Sequence, residues 1–203
     1  MSASVVVITA GLSQPSSSRL LADRLAQSVS NALGALGENA DITVVELRDH
    51  AKDLANHFVT GFPAPKLAAV LQQVTEADAV IAVSPIFSAS YSGLFKMFFD
   101  VLQVDALAGK PVLVGATGGT ARHSLALEYA LRPLFTYLHA VVVPTAIFAA
   151  PEDWASENVL AERLARAGDE LARLITNRPP SSRGGDDAEI VPFERLLQRG
   201  RNA

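Results

Sequence analysis

Short runs of Val, Ile and Leu alternate along the chain with longer stretches in which apolar residues return every three or four positions. Val5 to Thr9 is the first such run; it ends at Ala10-Gly11, and a serine-rich stretch leads into an amphipathic segment from Ser18 to Leu36. A continuous β-branched run reads as a strand and the three-to-four spacing as a helix. In that helix Leu21, Leu25, Val29, Ala32 and Leu36 fall on one face, and Gly37 is its natural stop. Ile42 to Leu47 predicts a second strand, residues 48 to 64 a long connection, and Pro65 to Val74 a helix with Leu67, Val70, Leu71 and Val74 on one side. The alternation continues with strands at Ala79 to Ser84, Pro111 to Thr117 and Val141 to Phe148, and with helices at Tyr91 to Leu102, His123 to Leu138 and Ala155 to Ile175. In the last helix Leu160, Leu164, Ala167, Leu171 and Leu174 share a side.

Five strands that alternate with helices, each strand nearly continuous in apolar residues, imply a parallel α/β sheet covered on both faces. Its crossovers should be right-handed. The expected organisation is one domain over residues 1–177 and a tail over 178–203. The tail opens with Arg-Pro-Pro-Ser-Ser-Arg-Gly-Gly-Asp-Asp, too polar to order itself, and carries Ile190, Val191, Phe193, Leu196 and Leu197 as a short apolar docking segment.

Composition narrows the function classes. At 203 residues, 49% hydrophobic and 19% charged, the chain is long and apolar enough for one sizeable core. A net charge of -4 with interleaved signs excludes the cationic stripe of a nucleic-acid binder. No apolar run approaches the roughly 20 residues of a membrane span. The absence of cysteine removes disulfides and thiol redox chemistry, so electron transfer would need a bound cofactor. The chain opens on a strand-like run rather than a signal-peptide pattern, which predicts a cytoplasmic protein.

In an open parallel sheet, the loops beyond the strands' carboxyl ends form the binding crevice. Three of them stand out here. Gly11 to Arg19, with Ser13, Ser18 and Arg19, offers hydroxyls, helix-start N–H groups and a guanidinium suited to a monophosphate. The plainer reading is a serine N-cap among loop-compatible neighbours. Ser84 to Gly93 combines Pro85, Ile86 and Ser88 with Phe87 and Tyr91, so a flat heteroaromatic ring would lie against it; alternatively it is a tight turn whose aromatics serve the core. Lys96 reads as a solvated helix charge. Thr117-Gly118-Gly119-Thr120 lets main-chain N–H groups face a ligand's polar edge, or is simply a turn. Together the three ask for the phosphate, the ring face and the ring edge of one molecule.

These segments resemble the NADPH-dependent FMN reductase family, in the branch that supplies reduced flavin to two-component monooxygenases. The resemblance rests on Ser84 to Lys96, on Thr117 to Thr120 with His123, on Leu127 to Pro133, and on Ile147-Phe148-Ala149. It spans residues 4 to 175 and is weakest from 48 to 64. It implies a flavodoxin-like doubly wound sheet of order 2-1-3-4-5, with FMN and NADPH or NADH as cofactors. Ser13, Ser18 and Arg19 would hold the FMN phosphate, Pro85, Ile86, Phe87 and Ser88 would line the isoalloxazine, and Thr117, Gly118, Gly119 and Thr120 would bond its pyrimidine edge. It also implies a homodimer or homotetramer in which Tyr129 packs between subunits and His123 lies one turn earlier, either of them within reach of a neighbour's flavin. Hydride transfer between stacked rings requires orientation and no side-chain acid or base, so no catalytic residue is named. A quinone or azo reductase on the same fold, and a flavodoxin-type electron carrier, are the alternatives; the modest net charge disfavours the carrier.

Overall fold

The computed structural model describes residues 2–177; the expected tail lies outside them. Strand β1 (Ser2–Thr9) pairs in parallel with β2 (Asn39–Glu46) on one side and β3 (Ala79–Phe87) on the other. Strand β3 pairs in turn with β5 (Pro111–Thr117), and a short antiparallel strand β4 (Ser90–Tyr91) folds back on the end of β3. The fifth strand is in two pieces, β6 (Val141–Val142) against the start of β5 and β7 (Ile147–Ala149) against its end. Counting those pieces as one strand, the order is the expected 2-1-3-4-5, with the β4 hairpin as an addition.

The interruption falls at Pro144, which has no N–H for the ladder. Other groups satisfy the released backbone. Arg132 donates from Nη1 to the Val143 carbonyl and from Nη2 to that of Pro144, both at 3.1 Å. The Glu170 carboxylate accepts from the Thr145 N–H and hydroxyl at 2.7 Å each.

Alternate residues of each central strand feed two separate cores. Val5 and Val7 pack under α1 (Ser17–Ala35) and α7 (Glu157–Thr176), whereas Val6 and Ile8 face α3 (Pro65–Glu76) and α4 (Gly93–Asp100). Helix α1 lies close on the sheet because Gly115 has no side chain: a Cβ there would stand 3.1 Å from Leu25 and 3.2 Å from Val83. At Gly168 helix α7 crosses α1 so tightly that a Cβ would meet the Ser28 backbone at 2.9 Å. The Ser28 hydroxyl closes that crossing by donating to the Leu164 carbonyl at 2.7 Å.

Four departures from the sequence expectations have physical causes. The connection expected over 48 to 64 begins one residue earlier, β2 ending at Glu46, with a short 3-10 turn (Leu47–His50) and then a helix, α2 (Ala51–Thr60), held by Leu54 as its only fully buried side chain. One anchor leaves no periodicity to read. Leu36, expected inside, is half-exposed at the C-cap of α1, while Gly37 makes the expected stop at φ +79°. The helix expected from Tyr91 begins at Gly93, because Tyr91 belongs to the hairpin. The helix expected over 123 to 138 is regular only in α5 (Arg132–Tyr137); a π-helical turn over Leu127–Leu131 precedes it, with the Arg132 N–H reaching back to the Leu127 carbonyl. An α-helical Pro133 would press its ring on the Tyr129 carbonyl, and the wider turn relieves this. A short helix, α6 (Pro151–Ala155), precedes α7.

The buried Lys110 ammonium donates to the carbonyls of Val74, Thr75 and Ala77 at 2.7–2.8 Å, where α3 ends. A cation there complements the helix C-terminus and satisfies carbonyls that the helix cannot. Lys110→Met should lower stability by about 2–4 kcal/mol in chemical denaturation, since the carbonyls lose a charged donor. The hydrogen bond from Arg132 holds the Glu128 carboxyl below its ordinary range. A lowered folded pKa stabilises the fold above the ordinary glutamate value, and the benefit disappears as the pH falls through the lowered one. The pair is largely exposed, so Glu128→Gln should cost about 0.5 kcal/mol at neutral pH, and parallel melts in acid should show the two proteins converging.

Candidate functional site

The three loops singled out in the sequence converge at the carboxyl edge of β1, β3 and β5, and named hydrogen bonds hold them together. The first is fastened to β3 where the Ala10 N–H donates to the Val83 carbonyl at 3.0 Å. Beyond it the chain folds tightly over Gly11, where a Cβ would lie 1.9 Å from the Ser16 hydroxyl. That hydroxyl caps α1 by accepting from the Arg19 N–H at 3.2 Å. The plainer reading, a serine N-cap, therefore holds for Ser16, and it leaves first-turn amides of α1 at the site.

Ser18 is buried, and its hydroxyl lies 2.7 Å from that of Thr117, also buried, so the first and third loops are tied directly. Thr9, in the last position of β1, is likewise out of water and its hydroxyl has no hydrogen-bond partner. Arg19 is turned toward two carboxylates: its Nε donates to Asp23 at 2.8 Å and its Nη1 to Glu46 at 2.6 Å. The hydrogen bond to Asp23 is the main cause of a guanidinium pKa raised above its ordinary value.

The second loop is a hairpin. Strand β3 continues past the sheet to Phe87, turns at Ser88 and Ala89, and returns at Ser90. Both turn residues have positive φ, +48° and +69°, the pattern of a type I′ turn made without glycine. Such backbone strain in non-glycine residues persists only where its surroundings hold it. The buried Ser84 hydroxyl does so, accepting from the Ser92 N–H at 3.0 Å and donating to the Pro85 carbonyl at 2.8 Å. Ser92 then caps α4 by accepting from the Phe95 N–H at 3.2 Å. Pro85 and Ile86 are buried, and Ser88 is exposed at the turn. The two aromatics separate: Tyr91 packs on Phe95 with ring centres 5.8 Å apart, whereas Phe87 is 48% exposed and presents its ring to solvent. Lys96 pairs with Asp100 on the outer side of α4.

In the third loop the two glycines have different reasons to be glycine. A Cβ at Gly118 would stand 2.8 Å from the Phe148 ring, and the Gly118 N–H already donates to the Ala149 carbonyl at 3.3 Å. Close packing on β7 therefore demands glycine at 118, and its amide serves the sheet. At Gly119 nothing lies within 4 Å of the Cβ position, so this residue leaves open space beside the sheet edge. Thr120 caps the short helical turn Ala121–His123, on which His123 is exposed. Farther along, Leu125, Tyr129 and Tyr137 stand out in water at spacings of four and eight.

Glu46 and Arg48 are the site residues that the sequence pattern did not single out. Arg48 donates from Nη1 to the Ser13 carbonyl at 3.0 Å, and its Nη2 meets Glu46 at 2.7 Å. Because the C=O and N–H of one peptide plane point in opposite directions, holding the Ser13 carbonyl outward turns the Gln14 N–H the other way. The available signal was position: charged residues at the carboxyl end of a strand in a parallel sheet stand at the crevice. Among the described residues, no group of three or more His, Asp or Glu side chains is placed to hold a metal ion.

Known proteins share this architecture. An oxidoreductase structure from Corynebacterium diphtheriae superimposes with a TM-score of 0.85 at 45% identity, covering 87% of this chain and 98% of that one. An NADH:FMN oxidoreductase in its apo form gives a TM-score of 0.75 at 30% identity, over 87% of this chain and 92% of its own. In sequence, an NADPH-type FMN reductase of Pseudomonas aeruginosa is 33% identical over 178 residues, 86% of this chain and 93% of the relative. With residues 3–155 also matching the family's own pattern, the chain belongs to the NADPH-dependent FMN reductase family.

Proposed function

We propose that this protein reduces FMN with NADH or NADPH and releases the reduced flavin to a partner monooxygenase. The observation that carries the reading is the convergence of three loops on one sheet edge, the first tied to the third by Ser18 and Thr117 and the second closed on itself by Ser84 and Ser92. The residues present fit FMN. Open space at Gly119 suits a ring edge, the exposed Phe87 ring suits the face of a flavin or nicotinamide, and first-turn amides of α1 suit a phosphate.

In this reading Ser13, Ser18 and Arg19 hold the phosphate, and Pro85, Ile86, Phe87 and Ser88 line the ring. Thr117, Gly118, Gly119 and Thr120 form the wall at its polar edge. When bound, FMN supplies the hydride-accepting N5 atom to nicotinamide C4. The chain's own contribution is placement: Ser84 fixes the hairpin and Ser18 fixes Thr117. Preorganised contacts of this kind lower the barrier by orientation, and proton transfer by a side chain is not required. The exposed stripe Leu125, Tyr129 and Tyr137 supports contact between copies of the chain as a homodimer or homotetramer. Among the described residues no helix is long and apolar enough to cross a membrane, and use of free NAD(P)H supports a cytoplasmic setting.

Oxidation of NADPH and of NADH in air by the purified protein should rise with added FMN and saturate. Oxidation by retained flavin with no response to added FMN would contradict flavin supply. Gly119→Val should raise the KM for FMN by about tenfold, about 1.4 kcal/mol of binding, with an unchanged melting temperature. Gly118→Ala should instead lower stability by about 1 kcal/mol as Phe148 is displaced, which differential scanning fluorimetry would show.

A further inference from the structure

A cluster of charge borders the first loop, and hydride transfer itself makes no use of it. Glu46 is the last residue of β2 and lies in register with Thr9, the last residue of β1. Its Oε1 accepts from Arg19 Nη1 at 2.6 Å, and its Oε2 meets Arg48 Nη2 at 2.7 Å. The carboxylate is only 19% exposed and bridges both guanidiniums. Asp23 takes the Nε of Arg19 at 2.8 Å, and Asp49 stands 3.6 Å from the Nε of Arg48. Two cations thus meet three carboxylates, and the cluster is negative overall.

A phosphate monoester carries nearly two negative charges at neutral pH. A guanidinium left free beside a loop of hydroxyls and helix-start amides would hold it bidentately and tightly. Here the two guanidiniums at the loop are engaged by carboxylates. An arriving phosphate therefore meets Arg19 with its charge already offset by Asp23 and Glu46, beside neutral donors and the partial charge of the helix start, a weaker hold.

We propose that Glu46 sets the strength of the phosphate grip: by engaging Arg19 and Arg48 it keeps FMN an exchangeable substrate rather than a fixed group. This rests on the assignment of the first loop to the FMN phosphate. Arg48 anchors the loop through the Ser13 carbonyl, so the arrangement separates two tasks. The arginine gives the loop its shape, and the glutamate removes the charge that shape would otherwise bring.

The test is a titration of the flavin-free full-length protein with FMN and, separately, with riboflavin, at low and at physiological salt. Glu46→Gln keeps the size and an acceptor oxygen while removing the charge. It should bind FMN about three- to tenfold more tightly than the parent, with a gain that shrinks as salt rises, and riboflavin binding should not change. Glu46→Asp, which keeps the charge, should show no such gain. Asp23→Asn removes charge from the exposed side of Arg19 without touching the strand end, and should shift FMN in the same direction as Glu46→Gln. Unchanged or weaker FMN binding in both neutralised variants, or an equal gain for riboflavin, would overturn the proposal while leaving the phosphate site in place. If the parent protein itself does not distinguish FMN from riboflavin, the phosphate assignment fails, and the role of Glu46 with it.

Discussion

From Ala79 to Ile86 every residue of β3 lies out of water, and its neighbours β1 and β5 are nearly as dry. A backbone buried on both faces has to satisfy its N–H and C=O groups within the sheet, because no water reaches them. The pairing of β3 with β1 and β5 meets that demand, and it brings three carboxyl ends to one edge of the molecule. Each chain leaving that edge must turn within a few residues toward the next helix. The candidate site is the set of those turns, so its location follows from the burial of the sheet.

Polar side chains then convert adjacent turns into one surface. Ser84 holds a strained hairpin, Ser18 and Thr117 join two loops across the end of β5, and Arg48 anchors the first loop to the end of β2. The Ser84 and Ser18–Thr117 bonds are made out of water, where they are costly to leave unmade, which gives them control over the shape of the edge. The same geometry shows why glycine occurs twice in the third loop: Gly118 clears Phe148, whereas Gly119 opens to solvent. Neutral donors and paired charges line the edge that results.

Much of the architecture was legible in the pattern of residues. The span of β5 from Pro111 to Thr117 matches the expectation residue for residue, and α1, α3 and α7 lie within two residues of theirs, because repeated burial on one face imposes a repeat on the sequence. Helix α2 escaped because only Leu54 is fully buried, and a single anchor has no period. The fifth strand, expected unbroken from Val141 to Phe148, is divided at Pro144. The repair by Arg132 and Glu170 has no local signature, since those partners are 12 and 25 positions away.

For the site, residue types singled out three loops as a candidate crevice, and the order of strands along the chain implied that the loops would meet. Those properties depend on local chemistry and on the periodicity of burial, which a linear sequence records. The direction of each side chain was decided only in three dimensions. That Ser18 faces Thr117, that Tyr91 joins the core while Phe87 does not, and that Glu46 stands between Arg19 and Arg48 are consequences of register between strands and of helix rotation on the sheet. Packing of distant segments sets both, and no local pattern contains them.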